Sequence, residues 1–277
     1  MSAALPEVPK IAFLGGGNMA AALIGGLLKT GWAAKQIVVA EPVAERSVWL
    51  KTEFGITVKT IGAELPADVD ALVLAVKPQQ MSAALAGLAL KPGALVVSIA
   101  AGVRLATLQR LLGPQVSYVR TMPNTPALLG AGITGLFAAA GTPATARTLA
   151  ERLLAAAGAC VWVDHEEQLD AVTALSGSGP AYFFLLVEAL RDAGTALGLS
   201  AEVSAQLAAQ TCVGAARMVG ESGLDAAQLR ANVTSKGGTT EAAVNHLESA
   251  GLRVIFREAL QQADARAKAL GDALDQQ

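Results

Sequence analysis

The sequence predicts an α/β chain in two parts, a doubly wound sheet over residues 1–164 and an all-helical half over residues 165–277. Three observations predict it. Ile11-Ala12-Phe13-Leu14 runs straight into Gly15-Gly16-Gly17 and then into a small-residue helical pattern that continues through Leu28. Apolar runs without alternation, such as residues 71–76, recur between helical stretches, as in parallel strands buried on both faces. After Asp164 the strand signal stops and helix-period patterns fill the remainder.

The elements follow in order. Residues 11–14 are the first strand, and Gly31 ends the helix after it. Residues 36–40 form a second strand that stops at Glu41-Pro42; a helix over 43–54 is closed by Gly55, and a short strand occupies 56–58. The run 71–76 is a fourth strand. Pro78 suits a first helical turn, which predicts a helix from there through about residue 88. Strand 94–99 leads into Ala100-Ala101-Gly102, helix 104–112 follows, and strand 116–120 precedes Met122-Pro123-Asn124-Thr125-Pro126. A strand at 132–138, a helix at 143–157 and a last strand at 160–163 complete the first part. Helices are then predicted at 166–175, 180–197, 201–219, 225–232, 239–249 and 252–270. The 180–197 helix is apolar nearly all round, which predicts burial between subunits.

Composition limits the function classes. The chain is 53% hydrophobic but only 4% aromatic, which favours closely packed small-residue helices. Its net charge is −2 with no basic run, which argues against nucleic acid and anionic membrane as partners. Cys160 and Cys212 lack metal-ligand spacing and read as buried thiols of a reducing compartment, so no metal site is expected. The start of the chain lacks the basic and apolar regions of a signal peptide, and the apolar stretch 181–190 is interrupted by Glu188 and followed by Arg191 and Asp192. A cytoplasmic protein is expected.

The spacing Gly15-x-Gly17-x-x-Ala20 between a strand and a helix fits the dinucleotide fingerprint of a Rossmann-type sheet. Gly15 permits the sharp turn, Gly17 lets a pyrophosphate approach the backbone, and Ala20 lets the helix lie close to the strand. The helix N-terminus favours a phosphate. Glu41, at the end of the second strand, stands where such folds hydrogen-bond the adenine ribose. A carboxylate there repels a 2′-phosphate and favours NADH, an effect that the nearby Arg46 softens. In the helical half, Ser176-Gly177-Ser178-Gly179-Pro180-Ala181-Tyr182 and Val233-Thr234-Ser235-Lys236-Gly237-Gly238-Thr239-Thr240 both lead directly into helices. Each offers N–H donors and hydroxyls suited to a small carboxylate, or simply caps its helix.

Taken in order, Gly-Gly-Gly-Asn-Met (15–19), Ala-Val-Lys-Pro (75–78), Met-Pro-Asn-Thr-Pro (122–126) and the two Gly/Ser/Thr loops resemble the pyrroline-5-carboxylate reductase family over nearly the whole chain. The resemblance implies a Rossmann-type N-terminal domain, an all-α C-terminal dimerisation domain, and reduction of 1-pyrroline-5-carboxylate to L-proline with NADPH or NADH. It implies a cofactor site formed by Leu14, Gly15, Gly16, Gly17, Asn18, Met19, Glu41, Ala75, Val76, Lys77 and Pro78, with Ser98, Ala100 and Ala101 near the nicotinamide. Gly238, Thr239 and Thr240, with Ser235, would hold the substrate, and the Thr240 hydroxyl would bond the ring nitrogen. Glu221 would reach the site from a neighbouring subunit of a homodimer, itself a unit of a larger ring. The family loop more often has Pro where this chain has Lys236, which loosens the loop without removing a donor. A β-hydroxyacid-type dehydrogenase, the nearest rival, would need a catalytic lysine in the helical half, where Lys236 is the only one on a suitable loop. A non-catalytic nucleotide sensor would not need the 233–240 loop at all.

Overall fold

The computed structural model describes residues 9–275. A sheet is built from β1 (Ile11–Leu14), β2 (Ile37–Ala40), β3 (Thr57–Lys59), β4 (Ala71–Leu74), β5 (Leu95–Ser98), β6 (Ser117–Met122), β7 (Gly132–Phe137) and β8 (Gly158–Trp162), in the order β3-β2-β1-β4-β5-β6-β7-β8. In β1, β2, β4 and β5 every residue is buried, which is why their sequences do not alternate. Ile11, Phe13, Val39, Val73 and Val97 enter one core layer, and Ala12, Leu14, Val38, Leu72, Leu74 and Val96 enter the other. Successive side chains point to opposite faces, and helices cover both. Each fully buried Phe, Ile or Leu contributes roughly 1.5–3 kcal/mol.

The strand order reverses between β1 and β4. There Ile11 pairs with Ile37 on one side and Ala71 on the other, and a crevice opens beyond the strands' carboxyl ends. The sheet is not parallel throughout, since β7 runs antiparallel to β6. The link between them contains only a 3₁₀ turn (Thr125–Leu129), too short for the dozen or more residues of a parallel crossover.

The helices of this part are α1 (Asn18–Lys29), α2 (Ala44–Phe54), α3 (Met81–Leu85), α4 (Leu105–Leu112), α5 (Ala144–Ala155) and α6 (Gln168–Val172). The helix expected at 78–88 is shorter: a 3₁₀ turn (Pro78–Gln80) leads into α3, and the chain leaves it through Gly87 at φ +71°. The one expected at 166–175 is α6 followed by a wider π turn, Thr173–Gly177. Close helix packing uses the small residues: a Cβ on Gly26 of α1 would lie 2.1 Å from the Ala156 carbonyl oxygen. Cys160 and Cys212 are half-buried rather than buried, and both are free. Burial, and then the charge of Glu151, push the Cys160 thiol up to about 11, which keeps it protonated and unreactive.

Then come α7 (Gly179–Ala196), α8 (Ala201–Glu221), α9 (Ala226–Asn232), α10 (Thr239–Ser249) and α11 (Leu252–Asp275). By compactness the chain forms two units, one running to Gly177 and resumed at Ala263, the other spanning Ser178–Gln262. In the first, the end of α11 is fastened to the start of α4: Arg104 meets Asp275 at 2.5 Å and Asp272 at 2.6 Å, and Thr107 donates to Asp275 at 2.7 Å. In the second, α7 packs on α8, and Ser200 and Asp225 cap α8 and α9 by accepting the N–H groups of Val203 and Gln228. Few of its side chains are buried. Phe184 is 63% and Leu185 66% exposed, with Phe183, Leu207, Val213 and Ile255 similarly open. Apolar surface of this extent marks a protein interface. Among the described residues no helix is long and apolar enough to cross a membrane.

Candidate active site

The three glycines after β1 are required for three different reasons. Gly15 has φ +96°, and a Cβ on it would lie 2.7 Å from the Ala75 carbonyl oxygen. A Cβ on Gly16 would lie 2.4 Å from Leu50 Cδ1. Gly17 has an ordinary extended backbone (φ −63°, ψ −175°), and a Cβ there would meet nothing within 4 Å. Gly15 and Gly16 therefore serve the protein's own packing, whereas Gly17 keeps open a space that no protein atom fills.

That space belongs to a cavity of about 760 Å³ at the β1/β4 reversal. Of the residues expected at a cofactor, Leu14, Gly15, Gly16, Gly17, Glu41, Ala75, Val76 and Lys77 line it. Asn18 and Met19 form the first turn of α1, and Pro78 follows Lys77 in the 3₁₀ turn. No side chain caps α1 and its first turn holds no acid, so neither competes with an anion for the N–H groups of that turn. Size, open cradle and uncapped helix suit a dinucleotide pyrophosphate. Pro42, Val43, Thr60, Ile61, Gln79 and Ala83 also line the cavity and were not anticipated. Applying the carboxyl-end rule to β2 and β3 as well as β1 points to the first four.

Glu41 is held on both oxygens. Oε2 accepts the Gly16 N–H at 2.9 Å and Oε1 the Val43 N–H at 2.9 Å, so the carboxylate ties the glycine loop to the turn before α2. Arg46 donates through Nε to the Gly16 carbonyl at 2.7 Å and lies over the Trp49 ring at 4.1 Å; its Nη2 is buried without a hydrogen-bond partner. At the end of β5, Ser98 is fully buried and its hydroxyl accepts the Ala100 N–H at 3.3 Å. Ala100 is buried and Ala101 exposed, and none of these three lines the cavity.

The 233–240 loop lies in the other compact unit. Gly237 has φ +73° and gives its N–H to Glu241 at 2.7 Å, while Gly238 gives its N–H to the Ser235 carbonyl at 3.0 Å. A Cβ on Gly238 would lie 2.6 Å from Ser235 Oγ, so a larger residue there would turn the Ser235 hydroxyl away from the loop. Gly238 precedes α10 with no side-chain cap; Thr239 and Thr240 form its first turn, Thr240 half-buried. Glu221, the last residue of α8, is exposed and pairs with Arg217 at 2.9 Å and 3.1 Å.

Comparison with known proteins places this arrangement. A family model described as pyrroline-5-carboxylate reductase dimerisation matches residues 166–270, and one described as NADP oxidoreductase, coenzyme F420-dependent, matches residues 10–102. The pyrroline-5-carboxylate reductase of Pseudomonas aeruginosa is 49% identical over 272 residues, covering 98% of this chain and 100% of the relative. The chain belongs to the pyrroline-5-carboxylate reductase family. A solved member of that family from Coxiella burnetii, 40% identical, superposes with a TM-score of 0.89 over 95% of this chain and 99% of its own. A pyrroline carboxylate reductase from Plasmodium falciparum, solved with NADP bound, is 29% identical with a TM-score of 0.79, covering 95% and 98% of the two chains. The open apolar faces of α7, α8 and α11 fall within the region matched by the reductase dimerisation model, a match that makes the chain a homo-oligomer.

Proposed function

We propose that the chain reduces 1-pyrroline-5-carboxylate to L-proline, the last step of proline biosynthesis, in the cytoplasm. The observation that carries this is the cavity around Gly17, kept open in a chain that aligns end to end with reductases of this name. NADPH or NADH, when bound, supplies the hydride for the imine carbon. Residues 1–164 serve as the dinucleotide-binding domain and residues 165–277 as the substrate and dimerisation domain, with dimers building a larger ring.

Residues of this chain supply position and charge. Gly17, with Asn18 and Met19 at the head of α1, holds the pyrophosphate in the turn that Gly15 and Gly16 shape. Leu14, Glu41 and residues 75–78 flank the nucleotide, and Ser98, Ala100 and Ala101 the nicotinamide. Gly238 and Thr239, with Ser235, fix the substrate carboxylate through the Thr239 N–H and the Ser235 hydroxyl, the Gly238 N–H being held by the Ser235 carbonyl. Thr240 Oγ1 bonds the ring nitrogen, which has taken its proton from solvent before the carbon takes up hydride, and Glu221 contributes from a neighbouring subunit. The imine is itself a weak base and protonates readily, so no strong catalytic acid is required. Holding the reacting atoms in line contributes on the order of 7–11 kcal/mol in the best cases.

Thr240→Val keeps the side-chain shape and removes only the hydroxyl. Losing a hydrogen bond to a charged group costs about 1.5–3 kcal/mol, so kcat/KM for the imine is expected to fall roughly ten- to over a hundredfold. Cofactor affinity is expected to stay unchanged. A kcat/KM within about twofold of the parent would reduce Thr240 to a helix-end residue and move the substrate site elsewhere.

The Glu41 carboxylate tests cofactor preference. Glu41→Ser shortens the side chain away from Gly16 and Val43 and removes the charge that opposes a 2′-phosphate. The ratio of kcat/KM for NADPH to that for NADH is expected to rise, while both values drop as the loop loosens. A fall in both at constant ratio would mean that Glu41 only holds the loop.

A further inference from the structure

The motif 122–126 meets Ser176 and Gly177, the start of the first Gly/Ser loop, in the fold. Met122 closes β6, and a Cβ on Gly177 would lie 2.5 Å from its Cε. Asn124 is 9% exposed and uses both ends of its amide: Oδ1 accepts the Ile133 N–H at 3.0 Å, and Nδ2 donates to the Ser176 carbonyl at 3.1 Å. An N–H on one side and a carbonyl on the other fix which end of the amide is which.

The Ser176 carbonyl needs this donor for a reason visible in the sequence. It lies in the π turn, and the residue four positions on, whose N–H would close a helical bond on it, is Pro180. Proline has no N–H, and Asn124 supplies the donor in its place. On its other side the motif is tied to the carboxyl end of β5: Ser98 pairs with Arg120 across the ladder, and Thr121 donates to the Ser98 carbonyl at 2.9 Å. Hydrogen bonds thus run from Ser98 through β6 and Asn124 to the turn that ends at Gly177.

We propose that Asn124 is a positioning residue for hydride transfer: through the Ser176 carbonyl it fixes the turn from which α7 departs against the carboxyl end of β5. This rests on the reductase function and on Ser98 and Ala100 flanking the nicotinamide. Asn124 does not touch the reacting atoms; it acts through the backbone it holds.

The test is steady-state kinetics of the full-length protein with 1-pyrroline-5-carboxylate and NADPH. Asn124→Asp keeps the size and the acceptor for Ile133 and removes the donor to Ser176. Misplacement of the reacting groups is expected to lower kcat about ten- to a hundredfold. The dissociation constant for NADPH, measured by calorimetry, is expected to stay within about twofold. The kinetic isotope effect with deuterated NADPH is expected to increase, because the chemical step has become slower. Adding Pro180→Ala to Asn124→Asp returns an N–H four residues beyond Ser176 and is expected to recover most of the lost kcat. A lowered melting temperature with unchanged kcat and isotope effect would overturn the proposal and leave Asn124 a stabilising residue only. Failure of Pro180→Ala to recover any activity in a folded double variant would also overturn it. If Asn124→Asp does not fold, Asn124→Ala with Pro180→Ala takes its place: kcat near the parent's supports the proposal, and a tenfold loss counts against it. Failure of the parent protein to form proline strikes the reductase function itself and is read before any variant.

Discussion

Gly17→Val leaves the protein folded and removes cofactor binding. The backbone at Gly17 is extended with φ −63°, which a β-branched residue adopts without strain, and a Cβ there meets no protein atom within 4 Å. The added side chain instead projects into the cavity where the pyrophosphate must approach the loop. Affinity for NADPH and NADH is expected to fall about a hundredfold or more, equivalent to ~2.8 kcal/mol, while the melting temperature of the free protein stays near the parent's. Calorimetric titration and a thermal melt on the same sample separate the two. Parent-like affinity would show that the loop does not receive a phosphate. Gly15→Val would not make this test, because its Cβ collides with the Ala75 backbone and the backbone there has positive φ.

Arg120→Met has the largest expected effect on stability. The Arg120 side chain is 5% exposed and lies 3.1 Å from Glu166 and 3.7 Å from Asp170, both largely buried carboxylates. Glu166 also accepts the Leu105 N–H at 2.8 Å, so β6, α4 and the approach to α6 depend on one guanidinium. Removing one partner of a buried ion pair leaves charge uncompensated, and about 3–5 kcal/mol of stability is expected to be lost at neutral pH. Burial already pushes the Asp170 carboxyl up, against the opposing pull of Arg120 and then Arg104. Without Arg120 it rises further. A carboxyl whose folded pKa exceeds its unfolded value destabilises the fold when ionised, and the penalty fades as pH falls through that range. The variant's deficit is therefore expected to be greatest at neutral pH and smaller near pH 5, which denaturant melts at both values would show. A loss below about 1 kcal/mol, equal at the two pH values, would mean that the pair is idle.

The sequence makes legible whatever depends on neighbours along the chain. β1, β2, β4 and β5 read as unalternated apolar runs because both their faces are covered, and Gly15 and Gly17 read as a phosphate turn because strand and helix flank them. The apolar pattern of α7 reads in the same way, as side chains that the chain itself leaves exposed. What was not legible depends on distant partners. Strand direction is absent from local pattern, so the antiparallel β7 follows only from the shortness of the link before it. The π turn at Thr173–Gly177 receives a hydrogen bond from Asn124, 52 residues from Ser176. Glu41 stands where the spacing put it, yet its engagement with Gly16 and Val43 appears only once the loop is folded over it. Thr60 and Ile61 line the cavity without any motif, placed there by β3 alone.

The most direct measurement is a turnover assay of the purified parent protein with 1-pyrroline-5-carboxylate and either NADPH or NADH, following cofactor oxidation and L-proline together. The expected result is proline formed one for one with cofactor oxidised, with at least one of the two cofactors. Cofactor that binds but is not oxidised by 1-pyrroline-5-carboxylate, with no proline formed from either, would contradict it.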